Sequence, residues 1–231
     1  MAAPLDARVR GIAALDHPVT ASVYRLLAER DELSRDDAAT TLDLPRSVAA
    51  FHLDKLVEVG LADAHFERRT GRTGPGAGRT AKVYRRADRD LTVSLPERHY
   101  DLAGQLLADA IDRASTKGVA LDKAVRTAAL EAGRAIGAVA EAAAGSRPSK
   151  ARRTEALIGV LADNGYEPRR RGGEVVLVNC PFHALADKHR ALVCGMNLNL
   201  INGIVDGAGA GNVAARLAPE AGLCCVRLKA S

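Results

Sequence analysis

The stretch LPRSVAAFHLDKLVEVGLADA, Leu44 to Ala64, decides the fold. Pro45 suits the first turn of a helix, where its missing amide proton has no intrahelical partner to lose. From there Val48, Phe51 or His52, Leu53, Leu56 and Val57 recur at three- and four-residue spacing and make one apolar stripe, which runs to Gly60. Arg46 and Ser47 stand in the opening turn, and Ala50, His52 and Lys55 share or border the side away from the stripe.

Upstream, Asp16 to Glu29 reads as a helix with Val19, Val23, Leu26 and Leu27 on one side. Ser34 opens a second, short helix: its hydroxyl caps free amides, Asp36 and Asp37 complement the positive end, and Asp43-Leu44-Pro45 ends it after Leu42. Downstream, LADAHFERR and AKVYRRA are extended segments separated by TGRTGPGAGRT, whose Gly and Pro residues exclude a helix. Three helices, the last two joined by a very short turn and followed by a basic hairpin, make a winged helix-turn-helix over residues 1–92.

Such a helix fits the major groove, so the partner expected is double-stranded DNA. Arg46 is placed to grip a guanine, Ser47 and Lys55 to meet phosphate or base edges, and His52 either reads bases or orients the helix. Net charge is +5, and between Arg68 and Arg89 eight basic side chains face one acidic one. Within that stretch Arg68, Arg69, Arg72, Arg79 and Lys82 are expected to follow the backbone or enter the minor groove. Aromatic content of 3% with no Trp argues against single-strand binding, which relies on stacking. The stretch Leu44 to Ala64 resembles the recognition helix of ArsR-like bacterial repressors, and RTGRTGPGAGRTAKVYRR is similar to the wing of many actinobacterial regulators.

Residues 93–147 read as two helices, Glu97 to Ala114 and Leu121 to Ala144. The run EAGRAIGAVAEAAAG permits close helix approach, as internal packing, as a homodimer seam, or as both. GSRPSKARR leads into residues 148–231: a helix from Arg152 to Asp163, strands around Gly172-Gly173, a helix from Ala191 to Asp206 and two closing strands. The fold class expected is α+β, with an antiparallel sheet and helices against it in this last part.

All four cysteines fall there: Cys180 in CPFH, Cys194 at the opening of a helix, and Cys224 and Cys225 in the final strand. No export signal and no long apolar run precede them, so a disulfide framework is not expected and a cytoplasmic setting is. A helix N-terminus would favour the Cys194 thiolate, and strand alternation would turn Cys224 and Cys225 to opposite faces. CPFHALADKHRALVC followed by GLCCVRL resembles the sensor region of SufR-type iron-sulfur repressors. That resemblance implies an iron-sulfur cluster carried by Cys180, Cys194 and one of the last pair, taken as Cys224; His183, three residues after Cys180, is a candidate fourth ligand, with a surface or structural histidine as the alternative. Zinc and inert buried thiols are the alternatives.

The expectation is a homodimeric transcriptional repressor controlled by that cofactor. A regulator answering to a small organic effector, with structural zinc or inert cysteines, is the alternative reading. A cysteine enzyme is disfavoured, because Cys180 and Cys194 have only His183 and His189 nearby and no recognisable base motif. GAGAG at Gly207 to Gly211 follows a helix and precedes a strand, the reverse of a dinucleotide loop.

Overall fold

The computed structural model describes residues 5–67 and 80–230 and divides into two units that meet at Val93 and Ser94. In the first, an opening helix α1 (Leu5–Ala14) precedes α2 (Pro18–Glu29), β1 (Leu33–Ser34), α3 (Arg35–Leu42), α4 (Arg46–Glu58), β2 (Ala62–Glu67) and β3 (Ala81–Arg86). α3 begins where the sequence predicts, because Ser34 and Asp37 form a reciprocal capping box: the Asp37 amide donates to Ser34 Oγ at 3.2 Å and the Ser34 amide to Asp37 Oδ2 at 2.9 Å. Asp43 in the left-handed region (φ 51°) then turns the chain sharply into α4. Val23, Leu26, Leu27, Leu33, Leu53, Leu56 and Tyr84 form the core beneath α4. The strands pair antiparallel in the order β1-β3-β2, with Ala64 opposite Tyr84 and Leu33 on its other side. α1 was not expected from its sequence, which carries no strong apolar stripe.

The second unit contains α5 (Tyr100–Lys117), α6 (Leu121–Ala144), α7 (Lys150–Asp163), β4 (Pro168–Arg171), β5 (Glu174–Leu177), α8 (His183–Lys188), α9 (Arg190–Gly207), β6 (Val213–Leu217) and β7 (Val226–Ala230). Its sheet is antiparallel in the order β4-β5-β7-β6. The fold is α+β, as expected. One core spans the helices and the sheet, with Leu106, Leu157, Leu177, Phe182, Met196, Leu200 and Leu228 among its members. Residues 93–147 and 148–231 are therefore not separate segments, as the sequence had suggested, but parts of one packed body.

The reason lies in four glycines. A Cβ on Gly133 of α6 would stand 2.1 Å from the Leu200 carbonyl of α9, and one on Gly137 would stand 2.3 Å from that of Ile204. In return, a Cβ on Gly203 or Gly207 of α9 would stand 2.3 Å from the Leu130 or Arg134 carbonyl of α6. The two backbones lie in contact at a distance only hydrogen side chains permit. The small-residue face of α6 is thus spent internally on α9.

Candidate nucleic-acid interface and cysteine cleft

Both sites are built from the edges of these cores outward. On α4, Ala49, His52, Leu53 and Leu56 turn inward. Arg46, Ser47 and Phe51 remain exposed, and the Lys55 side chain is 40% exposed. Arg46 pairs with Asp36 across the turn between α3 and α4, and Lys55 Nζ lies 3.0 Å from Glu58. Both pairs are in water, where such contacts hold weakly and exchange readily for a phosphate or base partner.

Of the two roles the sequence leaves open for His52, base reading and orienting the helix, its surroundings fit the second. It is 5% exposed, its Nδ1 lies 2.9 Å from Thr20 Oγ1, and its ring stands 4.7 Å from that of His17. Burial, with the His17 charge adding to it, holds its pKa below the usual value. It joins α4 to α2 and presents no edge to solvent. The spacing contains the signal: Ala49, His52, Leu53 and Leu56 follow the i, i+3, i+4, i+7 rule, which leaves Phe51 outside.

Lys82 of β3 is tied to the helix: its ammonium binds Asp54 and sits 5.0 Å from the Tyr84 ring centroid, while Tyr84 Oη donates to Asp54 at 2.8 Å. Hydrogen bonding to Asp54 raises the Lys82 pKa despite partial burial. Lys82 thus fixes the hairpin to α4. Arg68, Arg69, Arg72 and Arg79 lie outside the described residues.

The profile of a helix-turn-helix domain family matches residues 15–63, the span from the end of α1 to the start of β2. The N-terminal unit carries a helix-turn-helix DNA-binding domain. No curated protein and no solved structure matches the chain. In the helix-turn-helix domain, α3 and α4 are the paired helices, and α4 occupies the recognition position.

In the second unit, four thiols from three parts of the sequence line one cleft of about 510 Å³. Cys180 follows β5, and its carbonyl accepts from Arg98 Nη1 at 3.0 Å. Cys194 sits in the second turn of α9. Cys224 and Cys225 precede β7 rather than lying in it, at a bend where the Cys224 amide donates to Leu177 O at 2.8 Å and the Ala218 amide to Cys225 O at 2.8 Å. Strand alternation does not govern them there, so the expectation that Cys225 faces away is corrected: both line the cleft.

The thiols form a chain. Cys180 and Cys224, Cys224 and Cys225, and Cys225 and Cys194 each lie close enough to shift one another's ionisation. Hydrogen bonds from Cys224 and Cys194 bring the Cys225 pKa down to about 6, and the contact with Cys224 also lowers that of Cys180. Contact with Cys180 and Cys225 pushes Cys224 up, and burial pushes Cys194 up to about 12. Cys194 is therefore held above the ordinary thiol range rather than below it, with burial the largest cause. Arg98 and Arg190 also line the cleft and favour thiolates at Cys180 and Cys225 respectively. His183 stands at its mouth, its side chain 61% exposed, with Nε2 3.4 Å from Asp187.

Among the described residues no three of the cysteine sulfurs lie mutually within 4.8 Å. Such a trio is instead formed by Glu32, His65 and Glu67, all exposed, with His65 Nε2 3.4 Å from Glu32 Oε1. An exposed acidic trio of this kind is an ordinary surface ion pair and designates no metal. Among the described residues, no helix is long and apolar enough to cross a membrane.

Proposed function

We propose that the chain is a cytoplasmic, homodimeric transcriptional repressor whose DNA affinity is set by an iron-sulfur cluster held in the cysteine cleft. The observation that carries this reading is the convergence of Cys180, Cys194 and the adjacent Cys224 and Cys225, from three separate segments of the chain, on one opening. Soft thiolates suit zinc and iron-sulfur groups alike. A single tetrahedral zinc, with bonds of about 2.3 Å, needs sulfurs roughly 3.8 Å apart. Four thiols on one cleft also offer the full donor set of an iron-sulfur cluster. Arg98 and Arg190 would offset the negative charge of thiolate ligands, and His183 at the mouth is a fourth candidate donor beside Cys225.

A bound cluster supplies redox or ligand-dependent lability at the cleft. The chain's own residues transmit it. Cys194 belongs to α9, and α9 lies backbone to backbone on α6, so a shift of α9 displaces α6. Ile111, Leu121 and Val139 remain exposed on α5 and α6, which suits a face for a second copy. Two-fold pairing on an inverted repeat gives the operator length that one recognition helix lacks.

The test is anaerobic purification with iron, sulfide and zinc analysis, followed by Cys180→Ser, Cys194→Ser, Cys224→Ser and Cys225→Ser. The expected outcome is bound iron with acid-labile sulfide, lost in each variant, with operator affinity changed roughly 5- to 150-fold. Metal-free protein, or unchanged DNA binding in all four variants, overturns the reading. A second cleft, about 260 Å³ between α7 and the β4-β5 hairpin, floored by Leu157, Leu161, Val213 and Leu228, favours the alternative of a small organic effector. It would be taken up if the protein proves metal-free.

A further inference from the structure

The chain has only three phenylalanines. Phe182 is fully buried, Phe66 is 71% exposed on β2, and Phe51 is 65% exposed on the outer face of α4, the recognition helix. Ser47 lies one helical turn before Phe51 and Lys55 one turn after, so the three share that face. The ring is also supported from behind. It meets the His52 ring edge-on, with centroids 5.1 Å apart and planes at 85°, and His52 is itself held to Thr20. An aromatic group set against a buried neighbour, on a face it shares with Ser47 and Lys55 and with the exposed Asp54 and Glu58, gains no burial within its own unit. Burial remains available to it only when something covers the helix.

In a major groove the apolar group on offer is the thymine 5-methyl, and an apolar side chain is what recognises it. We propose that Phe51 reads the 5-methyl group of a thymine in each half-site, with His52 as the positioning residue that sets its ring. This inference rests on the DNA-binding reading of the helix-turn-helix domain. It adds the base that is read and the chemical feature by which it is read, and it assigns His52 a role through Phe51 rather than through DNA.

The test uses the full chain as purified. A duplex is first enriched from a random pool, and each thymine in it is then replaced singly by deoxyuridine, which removes the methyl group alone. The expected result is that one thymine per half-site is sensitive, replacement weakening binding roughly fourfold, as the transfer of one methyl group out of water yields. Phe51→Ala should bind the thymine and deoxyuridine duplexes equally, and Phe51→Leu, which keeps an apolar contact, should restore part of the difference. Because Phe51 is exposed, both variants fold. An enriched duplex indifferent to deoxyuridine at every position overturns the inference alone, as does undiminished sensitivity in Phe51→Ala. So does Phe51→Ala dissociating a dimer while thymine preference persists, since Phe51 would then be covered by a second copy. If no duplex is enriched, the DNA-binding reading itself fails and takes the inference with it.

Discussion

The side-chain amide of Asn197 donates a 3.3 Å hydrogen bond to Cys224 Sγ, and its carbonyl oxygen accepts one of 2.6 Å from Tyr166 Oη. All three side chains are buried, Asn197 and Tyr166 to 1% exposure. The tyrosine hydroxyl fixes which end of the amide faces the sulfur, and an N–H donor serves a thiol and a thiolate alike. The desolvated phenol stays protonated, its pKa raised well above the usual value chiefly by burial. The cleft is thus anchored on its inner side by a directed chain from α9 and the segment before β4.

Removing the middle of that chain leaves a buried hydroxyl with no acceptor, at a cost of about 1 to 3 kcal/mol. Asn197→Leu should therefore lower the unfolding free energy of the reduced protein by that amount, and Tyr166→Phe by a similar one. The double variant should cost less than the sum, because the second substitution removes a group already stranded. Urea unfolding of the four proteins measures this. Strict additivity would show that the two residues do not form one unit.

The seam between α6 and α9 gives an opposed pair of substitutions. Gly133→Ala drives a methyl group into the Leu200 carbonyl, and we expect a loss of about 1 to 3 kcal/mol or more from forced separation of the helices. Gly104 lies on α5 with nothing within 4 Å of a Cβ, so Gly104→Ala should stabilise by about 0.5 to 1 kcal/mol. Thermal unfolding should move in opposite directions for the two. Equal shifts would mean that helix propensity rather than backbone contact decides.

His52 makes the first unit sensitive to acid. Its folded pKa lies below the ordinary 6.5, so the unfolded chain binds the extra proton more readily. Its contribution is fully present above about pH 6.5 and is lost as pH falls through the folded pKa. Between about pH 7 and about pH 5, hydrogen exchange at the Leu53 and Leu56 amides should slow less than the intrinsic fall in amide exchange predicts. His52→Gln should remove that difference; its persistence would place the titration elsewhere.

Arg46 and the wing arginines should separate in a salt series. Arg46→Ala should weaken the enriched duplex roughly 5- to 150-fold and relax preference at one base pair. Arg72→Ala or Arg79→Ala should weaken all duplexes alike and flatten the dependence on salt. Filter binding on specific and random duplexes distinguishes the two. A specific loss on removing a wing arginine would move base reading to the hairpin.

What the sequence by itself determined was whatever depends on local order. The Ser34 capping box, the short turn at Asp43 to Pro45, the stripe on α4 and the flanking strands of the hairpin are all written in neighbouring residues. The placement of four cysteines in the last part of the chain was equally plain. The choice between Phe51 and His52 was open to periodicity but needed Thr20, thirty-two residues away, to settle, because a histidine is buried only where a partner meets its ring nitrogen. The glycines of α6 showed that something would approach closely. That it is α9 of the same chain depends on the matching glycines arriving at the same height after the intervening sheet strands. Cys224 and Cys225 read as strand because the residues after them are one; the bend that turns both into the cleft is held by backbone hydrogen bonds to Leu177 and Ala218, and non-local partners leave no mark in local sequence.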